Sequence, residues 1–95
     1  MTKYEIMYII HPNLDDANRA EVVEKYNAII TKNDSKILET KEWGLRDLAY
    51  EINKVNKGHY LILKVEATHE AISEFERLAL IDNNILRHIV IREEE

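Results

Sequence analysis

The sequence predicts an α+β chain in the order βαββαβ, and three observations carry that prediction. Apolar and polar residues alternate over several short segments, the period of a half-buried strand. Two longer segments, 15–33 and 69–81, repeat their apolar residues at helical spacing instead. Turn residues fall between the segments, and no long linker separates them. The 95 residues support one domain spanning 1–95, with an acidic tail at 93–95. A chain of this size buries only about 60–65% of its unfolded surface, so it can build one modest core.

The first strand is expected over 3–11, where Tyr4, Ile6, Tyr8 and Ile10 alternate with Glu5, Met7 and Ile9. Pro12 and Asn13 stop it. Asp15 and Asp16 place carboxylates at the start of a helix over 15–33. Its apolar residues Val22, Tyr26, Ile29 and Ile30 share one face, and Asn33-Asp34-Ser35 ends it. Residues 36–43 and 46–53 read as strand around a bend or bulge at Gly44. A polar turn, Asn53 to Gly58, precedes the clearest strand, 59–67, with Leu61, Leu63, Val65 and Ala67 on one face. Thr68 is a suitable N-cap for a helix over 69–81, with Ile72, Phe75, Leu78 and Ala79 inward. After Asp82-Asn83-Asn84 comes a last strand, 85–92.

Two helices on one face of a four-stranded antiparallel sheet is the ferredoxin-like way to bury one sheet face. It leaves the other face open. If Tyr4, Ile6, Tyr8, Ile10, Leu61, Leu63, Val65, Leu86, His88 and Val90 face the helices, then Met7, Ile9, Tyr60, Ile62, Ile89 and Ile91 lie outside. Lys64, Glu5 and Arg87 lie among them. That is more apolar area than a monomer usually exposes. A partner surface, a simple dimer, or a different register in the last strand would each account for it.

Composition narrows the function. Hydrophobic residues make up 45% and charged residues 33%, the balance of a folded domain rather than a disordered one. No apolar run is long enough to cross a membrane, and Met1-Thr2-Lys3-Tyr4-Glu5 lacks the shape of a signal peptide. Without Cys there is no disulfide, thiolate metal site or Cys nucleophile, which fits a cytoplasmic setting. The net charge of −5 argues against a sequence-blind polycation. The charge is uneven, however. Residues 66–84 carry five acidic residues against Arg77, whereas residues 35–60 carry five basic and four acidic ones.

No phosphate-cradling Gly loop or nucleophile elbow occurs. His11, His59, His69 and His88 have no metal-binding spacing, and no cofactor is expected. Two clusters are more informative. One runs from Trp43 through Gly44-Leu45-Arg46-Asp47 to Lys54, and it reads either as a packed Trp with a solvated Arg or as a site. The other sets Lys57-Gly58-His59-Tyr60 near Arg87-His88, where planar and cationic groups could meet bases and phosphates. An RNA-recognition motif shares the βαββαβ order but needs several stacking rings on the open face. The third strand offers only Tyr60 there, so that mechanism is disfavoured.

Tyr4-Glu5-Ile6, His11-Pro12-Asn13-Leu14, the stretch from Trp43 to Lys54, Gly58-His59-Tyr60 and Ile85-Leu86-Arg87-His88 together resemble the bacterial small-subunit ribosomal protein S6 family. The resemblance spans essentially the whole chain, and Trp-Gly-x-Arg-x-Leu-Ala-Tyr is its most specific part. It implies a non-enzymatic, cytoplasmic, ribosome-bound protein. Such a protein joins the central domain of small-subunit ribosomal RNA as a heterodimer with small-subunit protein eighteen, after protein fifteen has organised the RNA. The resemblance places RNA contacts on Lys3, Arg46, Lys54, Lys57, Arg87 and Arg92. It places partner contacts on Met7, Ile9, Tyr60, Ile62 and Ile89. The chain departs from the family at Thr2, Asp47 and Glu51, where Arg, a basic residue and Pro are usual.

Two other classes are weaker. A small-molecule regulatory domain dimerising through its open sheet would need a Gly-bearing ligand turn after the first strand, and His11-Pro12-Asn13-Leu14 has none. An acyl-phosphate hydrolase would need an Arg within a loop of backbone donors plus a water-orienting Asn, and no loop combines them.

Overall fold

The computed structural model describes residues 2–52 and 54–93. The elements are β1 (Thr2–Ile10), α1 (Asp16–Lys32), β2 (Lys36–Ile52), β3 (Val55–Ala67), α2 (His69–Ile81) and β4 (Ile85–Arg92). They form one antiparallel sheet in the order β2-β3-β1-β4, with both helices packed on one face. This is the ferredoxin-like fold expected from the sequence. Glu94 and Glu95 of the acidic tail lie outside the described residues, while the Glu93 amide donates to the Lys3 carbonyl at 2.9 Å.

Local chemistry sets the helix limits. The Asp15 carboxylate accepts from the Asn18 amide at 2.8 Å, and the Thr68 hydroxyl accepts from the Ala71 amide at 3.2 Å. Each satisfies a donor that the first helical turn leaves without a partner. At the end of α1 the Asn33 side-chain amide donates to the Ile29 carbonyl at 2.7 Å. Asp34 then reverses the chain with φ 56°, a left-handed conformation that Asp tolerates better than most residues.

The core lies between helices and sheet. Ile6, Tyr8 and Ile10 of β1, and Leu61, Leu63 and Val65 of β3, face Val22, Tyr26, Ile30, Ile72 and Phe75. Three rings meet at its centre: Tyr8, Tyr26 and Phe75 have centroids 5.1–5.7 Å apart in tilted or edge-on contact. The hydroxyl of Tyr26 escapes to Asp82 at 2.7 Å. That of Tyr8 has no hydrogen-bond partner among the described residues.

One local expectation holds and two are corrected. β2 is one 17-residue strand that passes through Gly44 by the expected bulge. Of the expected polar turn, Asn53 lies outside the described residues, Lys54 is a turn, and Val55 to Gly58 belong to β3, with Val55, Lys57 and Gly58 paired to β2. On β4, Ile85 rather than Leu86 faces the helices. A register shift opposite Ile9 and Ile10 pairs Ile10 with Ile85 and turns Leu86 to the other side.

Candidate functional site: the open face of the sheet

The open face is built from the alternate residues of all four strands, and the register gives its layout. From β2 to β4, one row holds Lys36, Glu66 and Lys3. The next holds Glu39, Lys64, Glu5 and Ile91. A third holds Lys41, Ile62, Met7 and Ile89, and a fourth holds Gly44, Tyr60, Ile9 and Arg87. One end is thus a chequerboard of alternating charge. Opposite charges face each other across strands, where each such pair contributes about 0.2–1 kcal/mol. The other end is apolar.

The apolar end is not bare. Between the Asp47–Lys57 and Ile52–Val55 pairs the register slips, so residues 48–51 of β2 have no direct partners on β3. This unpaired stretch folds over the face. Leu48, Ala49, Tyr50 and Ile52 line a cavity of about 160 Å³ with Met7, Ile9, Tyr60, Arg87 and Ile89. Arg87 donates from Nη1 to the Tyr50 hydroxyl at 2.9 Å and ties the hairpin end to β4 across the sheet. Ile9 and Ile62 are buried, while Met7, Tyr60 and Ile89 stay half-buried and Ile91 is 56% exposed.

The six candidate RNA contacts do not form one cluster. Lys3, Arg46 and Arg87 stand on open-face positions. Lys57 and Arg92 pair with Asp47 and Tyr4 on the opposite side of the sheet. Lys57 also lies 3.9 Å from the Asp47 carboxylate. Lys54 occupies the hairpin tip with φ 65°. Arg46 sits over the Trp43 ring, its Cζ 5.3 Å from the centroid, and its Nε donates to the Trp43 carbonyl at 3.4 Å. The candidate partner contacts Met7, Ile9, Tyr60, Ile62 and Ile89, by contrast, are brought together.

Sequence reasoning missed the lining role of Leu48 and Tyr50. Their alternation was legible, but the slip that carries them over the sheet has no local signature.

A second polar cluster closes the helix layer. Asp82 accepts from the Tyr26 hydroxyl at 2.7 Å, the Asn84 amide at 2.9 Å and Lys25 Nζ at 3.4 Å. Burial opposes its charge, but these donors outweigh burial and hold its pKa below the ordinary carboxylate value. His59, on the helix side beside Arg19, has its pKa lowered first by burial and then by that guanidinium. No group of three or more His, Asp or Glu is placed to hold a metal among the described residues. Among them, no helix is long and apolar enough to cross a membrane.

The family model of ribosomal protein S6 matches residues 3–92. The chain belongs to the ribosomal protein S6 family. A solved structure, the 30S ribosomal protein S6 of Thermotoga maritima, superposes with a TM-score of 0.91 at 31% identity. The match covers 97% of this chain and 87% of that one. As an S6 family member the protein is a structural, non-enzymatic component of the small ribosomal subunit.

Proposed function

We propose that this S6 family protein binds the central domain of small-subunit ribosomal RNA together with small-subunit protein eighteen, and acts as a bound component of the ribosome in the cytoplasm. The observation that carries this reading is the apolar end of the open face, gathered from four elements and left half-exposed beside Arg46 and Arg87. Met7, Tyr60 and Ile89 meet the partner protein. Ile9 and Ile62, buried beneath them, form the floor of that surface. Lys3, Arg46, Lys54, Lys57, Arg87 and Arg92 supply contacts to phosphate and sugar around the chain's edges. The net charge of −5 leaves this protein short of cations, so a basic partner contributes much of the phosphate neutralisation.

The test is filter binding to a central-domain RNA fragment, with and without protein eighteen, over a salt series. Affinity is expected to be weak alone, to rise with the partner and to fall steeply with salt. Each cation changed to Ala is expected to reduce the log–log salt slope by about 1. RNA binding that is absent with and without the partner would refute the reading.

A further inference from the structure

We propose that Trp43 and Arg46 form a platform for one unstacked nucleotide of the RNA, its base lying on the free face of the indole and its phosphate taken by the guanidinium. The inference rests on the RNA-binding reading above and names the group that this part of the chain recognises.

The platform is a product of the bulge in β2. Glu42 pairs with Leu61 and Gly44 with Tyr60, so Trp43 is the extra residue with no partner of its own. Gly44 takes φ 79°, which an L side chain rarely adopts, and a Cβ there would meet nothing within 4 Å. The space beside the bulge is therefore open. β2 is the edge strand of the sheet, so no further strand obstructs the ring. Trp43 remains 49% exposed, an unusual position for the largest apolar side chain.

Arg46 makes this more than a stray exposed ring. It lies three residues on, and its guanidinium covers one face of the indole. Of its five N–H donors, one is given to the Trp43 carbonyl. No carboxylate pairs with it among the described residues, whereas Arg19, Lys25, Lys41, Lys57 and Arg77 each have one. A flat π-surface with an uncompensated guanidinium lying over its other face matches a nucleotide. The base stacks on the ring, and the phosphate oxygens accept in parallel from the fork. An apolar protein segment would use the ring but leave the fork's donors unmatched.

The test uses the full chain with 5-fluorotryptophan incorporated. Trp43 is its one Trp, so the fluorine signal reports this ring alone. Filter retention and the fluorine spectrum are followed together as central-domain RNA is added in the presence of protein eighteen. The resonance is expected to shift as RNA is retained and to stay in place with protein eighteen alone. Trp43→Phe is expected to bind within about threefold of the wild type, and Trp43→Leu to lose about 5- to 150-fold with an unchanged salt slope. Arg46→Ala is expected to lower that slope by about 1. A resonance unmoved at full retention, an unweakened Trp43→Leu variant, or a shift caused by protein eighteen alone would each overturn the platform. Failure of the wild type to retain RNA at all would instead defeat the RNA-binding reading beneath it. Both side chains are exposed, and unchanged melting of the variants separates these outcomes from misfolding.

Discussion

Two glycines illustrate how differently single residues answer to their surroundings. Gly58 is buried under the open face, where a Cβ would collide with Ile9 Cγ2 and press on the Ile10 carbonyl at 3.3 Å and Leu86 Cδ1 at 3.4 Å. Its neighbours include backbone, which cannot swing aside. Gly58→Ala is therefore expected to cost about 1–3 kcal/mol, the usual range for overpacking, as read by urea denaturation. Gly44 has room but the wrong dihedral for a side chain. Gly44→Ala is expected to cost about 1–2 kcal/mol from backbone strain alone, and Gly44→Asn less, since Asn tolerates the left-handed region. Equal losses for Ala and Asn would show that φ is not the constraint. Tyr50 and Arg87 carry less, because their hydrogen bond is exposed. Tyr50→Phe should change global stability by no more than about 1 kcal/mol, and its use is to test whether the hairpin end stays over the sheet.

At the scale of elements, the helices are held by polar groups at their ends as much as by their buried faces. Asp82 ends α2 and receives Lys25 and Tyr26 from α1, joining the two helices where they meet the sheet. Asp82→Ala leaves the Tyr26 hydroxyl without its acceptor inside the core and is expected to cost about 1–3 kcal/mol at neutral pH. The pH dependence has a definite sign. The folded protein holds the Asp82 pKa below the unfolded value of about 3.9, so its stabilisation is present above that value. It is lost as pH falls through the lower folded value. The gap between wild type and Asp82→Asn should accordingly narrow between about pH 5 and the acid limb. A constant gap in denaturant melts across that range would assign the effect to shape rather than charge. Thr68→Ala removes the cap of α2 and should cost about 1 kcal/mol.

For the whole molecule, the sheet separates two tasks. The helix face carries the stability, centred on Tyr8, Tyr26 and Phe75. Phe75→Ala is expected to cost about 3–5 kcal/mol and to approach the full stability of a domain this small. The open face carries the surface proposed above for assembly, and its Met7, Tyr60 and Ile89 are half-exposed. Ile89→Glu should leave thermal melting nearly unchanged while weakening co-assembly with protein eighteen at least tenfold, as measured by RNA retention in the partner's presence. Loss of folding together with co-assembly would place Ile89 in the core instead. The chequerboard of Lys3, Glu5, Lys36, Glu39, Lys64 and Glu66 neutralises much of its own charge across strands. This leaves Arg46 and Arg87, beside the apolar end, as cations available to a ligand.

By itself the sequence determined the βαββαβ order, the limits of α2 and β4, the Thr68 cap of α2, the carboxylates at the start of α1 and the buried faces of β1 and β3. These follow from periodicity and from side chains that bond to their own backbone, which are local properties. It also marked Trp43, Gly44 and Arg46 as an unusual run, because an aromatic, a Gly and an Arg at a strand bend are visible without coordinates. Only the tertiary structure decided that Ile85 displaces Leu86 from the core, that Leu48 and Tyr50 cover Met7 and Ile9, and that Lys57 and Arg92 stand apart from Arg87. Each of these depends on pairing between distant strands. A one-residue slip in such pairing reverses every side chain beyond it, and no local pattern records where a slip occurs.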